Sequence, residues 1–260
     1  MNYTIPKNLL STNNAKTVKG EKKGYTTHIM YLSPFTQNSK GINLCSHASK
    51  GCAKACLFGS GAARFDRVQA GKLNKTEYFL ANRKTFLEQL DNEIATIVAK
   101  HSKDNSKFAI RLNGTSDIRF EKFKIRDNKN IFELYPNVQF YDYTKNYLRF
   151  NVELPKNYHL TFSLSETNRD KAIELLGRGV NVAMVFGVRN EQELPTEYLG
   201  YKVINGDESD LRFLDGKNVI IGLKYKFLTG KGTAGVNKEN LETNSFIIDV
   251  ASIEAIKMVA

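Results

Sequence analysis

A chain of 260 residues, 41% hydrophobic and 25% charged, has an ordinary globular composition, which excludes disordered and fibrous classes and suits one barrel-sized α/β domain. No window approaches the roughly 18 consecutive apolar residues that span a bilayer, and Met1–Lys23 is polar and lysine-dotted without an apolar signal core, so a cytoplasmic protein with no membrane partner is expected. The net charge of +11 is uneven: residues 1–190 hold 30 Lys and Arg against 16 Asp and Glu, and residues 191–260 hold 8 against 11. That excess reads either as a polyanion-binding surface, for nucleic acid or a phosphorylated small molecule, or as a solvated basic face.

After an N-terminal extension over residues 1–25, short β-branched or aromatic runs alternate with segments of helical apolar spacing, the signature of repeated β–α units in a single domain spanning 1–260. Eight strands are predicted: Thr26–Leu32, Phe108–Leu112, Val138–Tyr143, His159–Leu164, Val180–Phe186, Tyr201–Ile204, Val219–Lys224 and Phe246–Val250. The strongest helical pattern is Lys75–Lys100, where Phe79, Phe86, Leu87, Leu90, Ile94, Ile97 and Val98 recur at three and four. Phe120–Leu134 and Arg169–Leu176 are shorter, and Gly177 and Gly179 mark a helix end before Val180. Eight strands with crossovers predict an α/β, (β/α)8 TIM-barrel-like fold, and short later connections such as Asp207–Lys217 point to an irregular or open version of it.

In such a fold the active face is the C-terminal end of the strands, and polar residues do collect there: Arg111, Asn113 and Asp117; Asp142 and Lys145; Glu166; Asp207; and Lys224. Individually these suit loop caps and salt bridges; together they are the candidates for one polar pocket binding a small polar ligand.

All three cysteines fall within Asn43–Cys56, spaced C-x6-C-x3-C, directly after the first predicted strand. A helix over Ala53–Phe58 would put Cys52 and Cys56 on one face, and the loop lets Cys45 fold back over them, giving three thiolates suited to a soft metal. A 4Fe–4S cluster held this way keeps one iron open to another ligand, and zinc is the alternative metal, with His47 completing a Cys3His set. The plain structural reading is three small buried hydrophobes. Radical S-adenosylmethionine enzymes hold a three-cysteine cluster in the corresponding loop with C-x3-C-x2-C spacing, and the departure from that spacing puts S-adenosylmethionine itself in doubt.

Asn43-Leu44-Cys45 through Gly51-Cys52 to Ala55-Cys56-Leu57, Arg83-Lys84-Thr85, Arg111 through Ile118 and Phe140 through Lys145 resemble the gene-product-eighty-eight family of tailed bacteriophages, over about residues 25–165. The resemblance implies a phage protein, working in the infected host cell, with a cysteine-bound iron–sulfur cluster on a barrel-like fold, and brings no reaction with it. Whether such a protein is an enzyme stays open. Radical or Lewis-acid chemistry at the cluster stands against a metal-stapled module that binds nucleic acid or a host protein.

The remaining motifs are weaker. Gly59-Ser60-Gly61 reads as the turn ending the cysteine helix or as an anion-binding loop, Gly230–Gly235 as a flexible connection or a basic lid, and the aromatic-basic run Phe140–Phe150 either as a base-stacking surface or as a buried Phe140 with Lys145 paired inside the cavity. His28, His101 and His159 lack acidic or cysteine neighbours in sequence, and no catalytic role is assigned to them.

Overall fold

The computed structural model describes residues 3–12, 15–56, 61–189, 192–228 and 233–250. All eight predicted strands are present, as β2 (Tyr25–Met30), β3 (Lys107–Arg111), β4 (Gln139–Thr144), β5 (Tyr158–Ser163), β6 (Val182–Phe186), β8 (Tyr201–Asn205), β9 (Ile220–Lys224) and β10 (Ile247–Ile248). Two short strands join them, β1 (Leu10–Ser11) and β7 (Glu197–Tyr198), in one sheet of order β1-β2-β3-β4-β5-β6-β9-β8-β7, with β10 paired to β6. Pairing is parallel except at the two ends, where β1 runs antiparallel to β2 and β7 to β8. Leu199 and Gly200 turn the β7–β8 hairpin at φ 55° and 76°, the left-handed backbone of a tight hairpin turn.

This sheet is not a (β/α)8 barrel. β2 to β6 follow one another as in a barrel, but β9 then takes the place beside β6, β8 lies outside it, and among the described residues no later strand returns to β2. The later connections lack the helical layer of a barrel: the link Gly206–Val219 carries the chain from β8 to its parallel neighbour β9 with only the single tight turn Arg212–Leu214. The short antiparallel strands cover the open edges instead.

Among the described residues the helices are α1 (Ala15–Glu21), α2 (Lys50–Lys54), α3 (Asp66–Ala81), α4 (Arg83–Lys103), α5 (Ile131–Leu134), α6 (Arg169–Gly177) and α7 (Thr233–Thr243). The continuous helix expected over Lys75–Lys100 breaks at Asn82, whose φ −137° and ψ 60° end α3 and start α4 while its side chain donates to Tyr3 Oη at 2.7 Å. The helix expected over Phe120–Leu134 is interrupted by Asp127-Asn128, both near φ 51°, leaving one capped turn at Asn130–Leu134.

Side-chain alternation gives the sheet two different faces. One face, with Met30, Ile110, Phe140, Leu160 and Phe162, packs against Phe79, Phe86, Leu90, Ile94 and Leu175 of the helices. The other carries Ala109, Arg111, Tyr141 and Tyr143 under the segment 206–217, with Leu211 and Phe213 as its apolar cover. No described helix is long and apolar enough to cross a membrane.

Candidate functional site

β6 has three neighbours, and their registers open the sheet at its C-terminal end. β9 runs along all of Val182–Phe186; β5 pairs only with Val182 and Ala183, and β10 takes the same side at Val185 and Phe186. The chain after β5 therefore leaves the sheet where β10 enters. Such a divergence of neighbouring strands at their carboxyl ends is where open α/β sheets form crevices.

The cysteine segment is tied down over this opening. Asp117 N–H donates to Leu44 O at 2.9 Å, and Cys45 Sγ lies 3.4 Å from Thr115 O, so β3's exit loop holds one end. Ser49 caps α2: its hydroxyl accepts from Cys52 N–H at 3.2 Å and donates to Glu166 Oε2 at 2.6 Å. Gly51 N–H donates to Glu166 Oε1 at 2.7 Å, and Asn244 Nδ2 donates to Gly51 O at 3.0 Å. A side chain at Gly51 would collide with Asn244 and Glu166, which makes glycine a requirement of this clamp.

The three cysteines carry no disulfide and are each partly buried. They do not form the expected tight cluster. α2 ends at Lys54, so Cys56 lies beyond it and the i, i+4 alignment of Cys52 with Cys56 does not arise; Leu57 and Phe58 lie outside the described residues. Each sulfur also has neighbours of its own: Cys45 turns to Thr115 O, and Cys52 packs beside Phe246, Tyr225 and Ala55. Among the described residues no set of three or more His, Cys, Asp or Glu side chains stands at metal-holding distance. The sulfurs do lie within electrostatic reach. Burial pushes the Cys45 thiol up to about 12, with negative charge at Cys56, Asp117 and Cys52 adding to it. Burial also raises Cys52, against the pull of the Lys145 ammonium that hydrogen-bonds it. Three soft thiols thus match a metal–sulfur centre in kind, and their spacing falls short of it.

Lys145 is the central cation. Its ammonium donates to Ser163 Oγ at 2.5 Å and Leu164 O at 3.4 Å, and stands 5.1 Å from the centre of the Phe246 ring. Beside it opens a groove of about 570 Å³ lined by Ser46–Lys50, Lys145 and Glu166–Asn168. His47, which the sequence offered as a zinc ligand, is exposed on this wall with Nδ1 3.0 Å from Ser46 Oγ.

The predicted pocket residues divide into four groups. Asp117, Lys145 and Glu166 meet at the cysteine segment. Asp117 accepts from Thr144 Oγ1 and Lys145 N–H, both at 3.0 Å, and from Arg149 Nη1 at 3.2 Å. Asp142 is fully buried toward the helices, where its carboxylate accepts from Asn113 N–H at 2.7 Å, Asn113 Nδ2 at 3.0 Å and Tyr158 Oη at 2.9 Å; burial pushes it up to about 6. Asn113 also accepts from Ser116 and Ile118, and so shapes the loop that carries Asp117. Arg111 is on the opposite face, its guanidinium 2.7 Å from Asp210 and 4.7 Å from the centre of the Tyr143 ring. Asp207 and Lys224 pair at the β8–β9 end, where Asp207 accepts from Lys224 N–H and from Lys226, both at 2.8 Å. One cavity facing all of Arg111, Asp117, Asp142 and Lys145 is therefore replaced by a groove on Lys145 with supporting networks beneath it.

Ser49, Asn168, Asn244 and Phe246 escaped the sequence reading. Only Ser49, three residues before Cys52 at a helix start, left a local signal, that of an N-cap. Gly59, Ser60 and residues 230–232 lie outside the described residues, and Gly235 belongs to α7 rather than to a loop.

Fold and site together define an open, mostly parallel α/β protein whose cysteine-bearing loop is clamped over the carboxyl ends of its strands. A family model described as Gene product 88 matches residues 8–239, from before β1 into α7, and the chain belongs to that family. No curated protein and no solved structure matches it.

Proposed function

We propose that Cys45, Cys52 and Cys56 hold an iron–sulfur cluster, of the 4Fe–4S type, and that the adjoining groove admits a polar ligand to it. The observation that carries this reading is that every cysteine of the chain lies in one unbridged segment anchored at both ends over the opened edge of the sheet. Three protein thiolates leave one iron for a further ligand, which is what chemistry at such a centre requires. Metal loading has to move Cys45 off Thr115 O or Cys52 off Phe246, and the thiols must give up their protons to bind. Reduced thiols and a phage setting go together with work in the cytoplasm of an infected cell.

Anaerobic purification with iron, acid-labile sulfide and zinc quantified tests the proposal. The expected protein is brown, contains iron and sulfide, and loses both in Cys45→Ala, Cys52→Ala and Cys56→Ala while keeping them in His47→Ala. Stoichiometric zinc without sulfide, from iron-replete cells, would overturn it in favour of a zinc-stapled binding module.

A further inference from the structure

The groove on Lys145 points to a ligand class of its own. Lys145 is half-buried and forms no salt bridge among the described residues: its contacts are a hydroxyl, a carbonyl, an aromatic ring and the Cys52 thiol. The carboxylate on the same wall, Glu166, is already engaged by Ser49 Oγ–H and Gly51 N–H, which hold it ionised below the ordinary glutamate range. The Asn168 amide is likewise taken up, by Ser165 N–H and Ser163 O, so what remains to meet a ligand is the Lys145 ammonium at the base, Lys50 and His47 at the exposed rim, and the Ser46 and Thr167 hydroxyls. A half-buried cation backed by neutral donors recognises an anion. The number and spread of the donors suit the several oxygens of a phosphoryl group better than the two of a carboxylate, and the volume is that of a small-molecule site.

We propose that this groove binds a phosphate-bearing small molecule, with Lys145 as its principal cation and Lys50 as a rim contact. The proposal rests on the reading of the cysteine site and deepens it by naming its ligand class: Ser46–Lys50 of the cysteine segment form one wall of the groove, and Lys145 and Glu166–Asn168, from the exits of β4 and β5 and the start of α6, form the other.

Titration calorimetry of the full chain with inorganic pyrophosphate, against acetate as the carboxylate control, tests it. Pyrophosphate is expected to bind at millimolar concentration or below and acetate not to. Lys145→Met should weaken binding about tenfold or more, the loss of one charge-assisted hydrogen bond, and Lys145→Arg should restore part of it. Lys50→Glu, an exposed change that leaves folding intact, should also weaken binding. Cys45→Ser, at a cysteine that turns to Thr115 O and not to Lys145, should bind pyrophosphate as the parent does, so absence of iron from the purified protein and absence of phosphate binding are separate results. Unchanged binding in both Lys145→Met and Lys50→Glu, equal binding of acetate, or no binding of pyrophosphate at millimolar concentration would overturn the proposal.

Discussion

The two faces of β3–β5 each bury a charge network, and the two are satisfied very differently. On the helix-covered side Arg149 donates to Asp117 at 3.2 Å, to Glu121 at 2.9 Å and to Tyr158 Oη at 2.9 Å, and Tyr158 donates onward to Asp142, which Asn113 also holds. Within this network Arg149 Nε is the one buried polar atom that lacks a hydrogen-bond partner among the described residues. On the opposite side Arg111 meets Asp210, and Arg212 Nε lies 3.1 Å from Asp215, yet Arg111 Nε, His159 Nε2, Thr161 Oγ1, Arg212 Nε and Nη1 and Asp215 Oδ2 are buried without a protein hydrogen bond. The first network is a brace: it fixes Asp117, and through Asp117 the backbone of Lys145 under the groove. The second is loosely satisfied, and removing its members should cost less.

The sharpest way to break this contrast is Arg149→Met. It strands Asp117 and Glu121 without their shared cation, while Asp142 keeps Arg111 Nε at 3.9 Å, and a broken buried ion pair costs about 3–5 kcal/mol. Urea unfolding should show that loss, together with weaker pyrophosphate binding; a loss under about 1 kcal/mol would remove the brace from the account. Arg212→Met breaks one buried ion pair, to Asp215, where Arg149→Met breaks two, and is expected to cost less. Equal costs for the two arginines would erase the distinction between the faces.

A third buried contact on the helix-covered side gives a pH test. His28 Nε2 and His101 Nε2 stand 3.1 Å apart between β2 and α4, and burial, aided by His101, lowers His28 to about 4. A base with a depressed folded pKa binds more protons unfolded, so its stabilising effect is complete above pH 6.5 and is lost as pH falls from 6.5 through about 4. Between pH 7 and pH 5 the wild type should lose about 2 kcal/mol more than His28→Phe. Parallel pH curves for the two proteins would show that the pair does not titrate in this way.

These residues also mark how far the sequence could be read. Strands announced themselves because Val180–Phe186 and Val219–Lys224 are apolar runs with no other use for their side chains, and all eight were found. Strand order did not, because nothing local in Tyr201–Lys224 says that β9 will reach β6 before β8 does; only the helix-poor link at Gly206–Val219 hinted at it. In the site, Cys45, Cys52, Cys56, Lys145 and Glu166 were legible as chemistry-bearing residues at strand exits. The sulfur geometry was not, because one turn of helix more or less after Ala53 decides whether Cys56 aligns with Cys52, and helix ends are poorly encoded over such a span. Asn244 and Phe246 were invisible because they reach the cysteine segment from nearly two hundred residues away in the chain.

The smallest effect separates the two faces most directly. Thr144 and Thr161 are both buried threonines at adjoining strand positions, one paired register step from each other across β4 and β5. Thr144 Oγ1 donates to Asp117 and accepts from Asn146 N–H, each at 3.0 Å, so Thr144→Val leaves a carboxylate and an amide short of a partner and should cost about 1–2 kcal/mol. Thr161 Oγ1 has no hydrogen-bond partner among the described residues, so Thr161→Val replaces an unsatisfied hydroxyl with a methyl of similar volume. It should leave stability within about 0.5 kcal/mol or raise it. A Thr161→Val variant as damaged as Thr144→Val would mean that the hydroxyl on the Arg111 side is satisfied after all, by ordered water, and that this face is as tightly organised as the other.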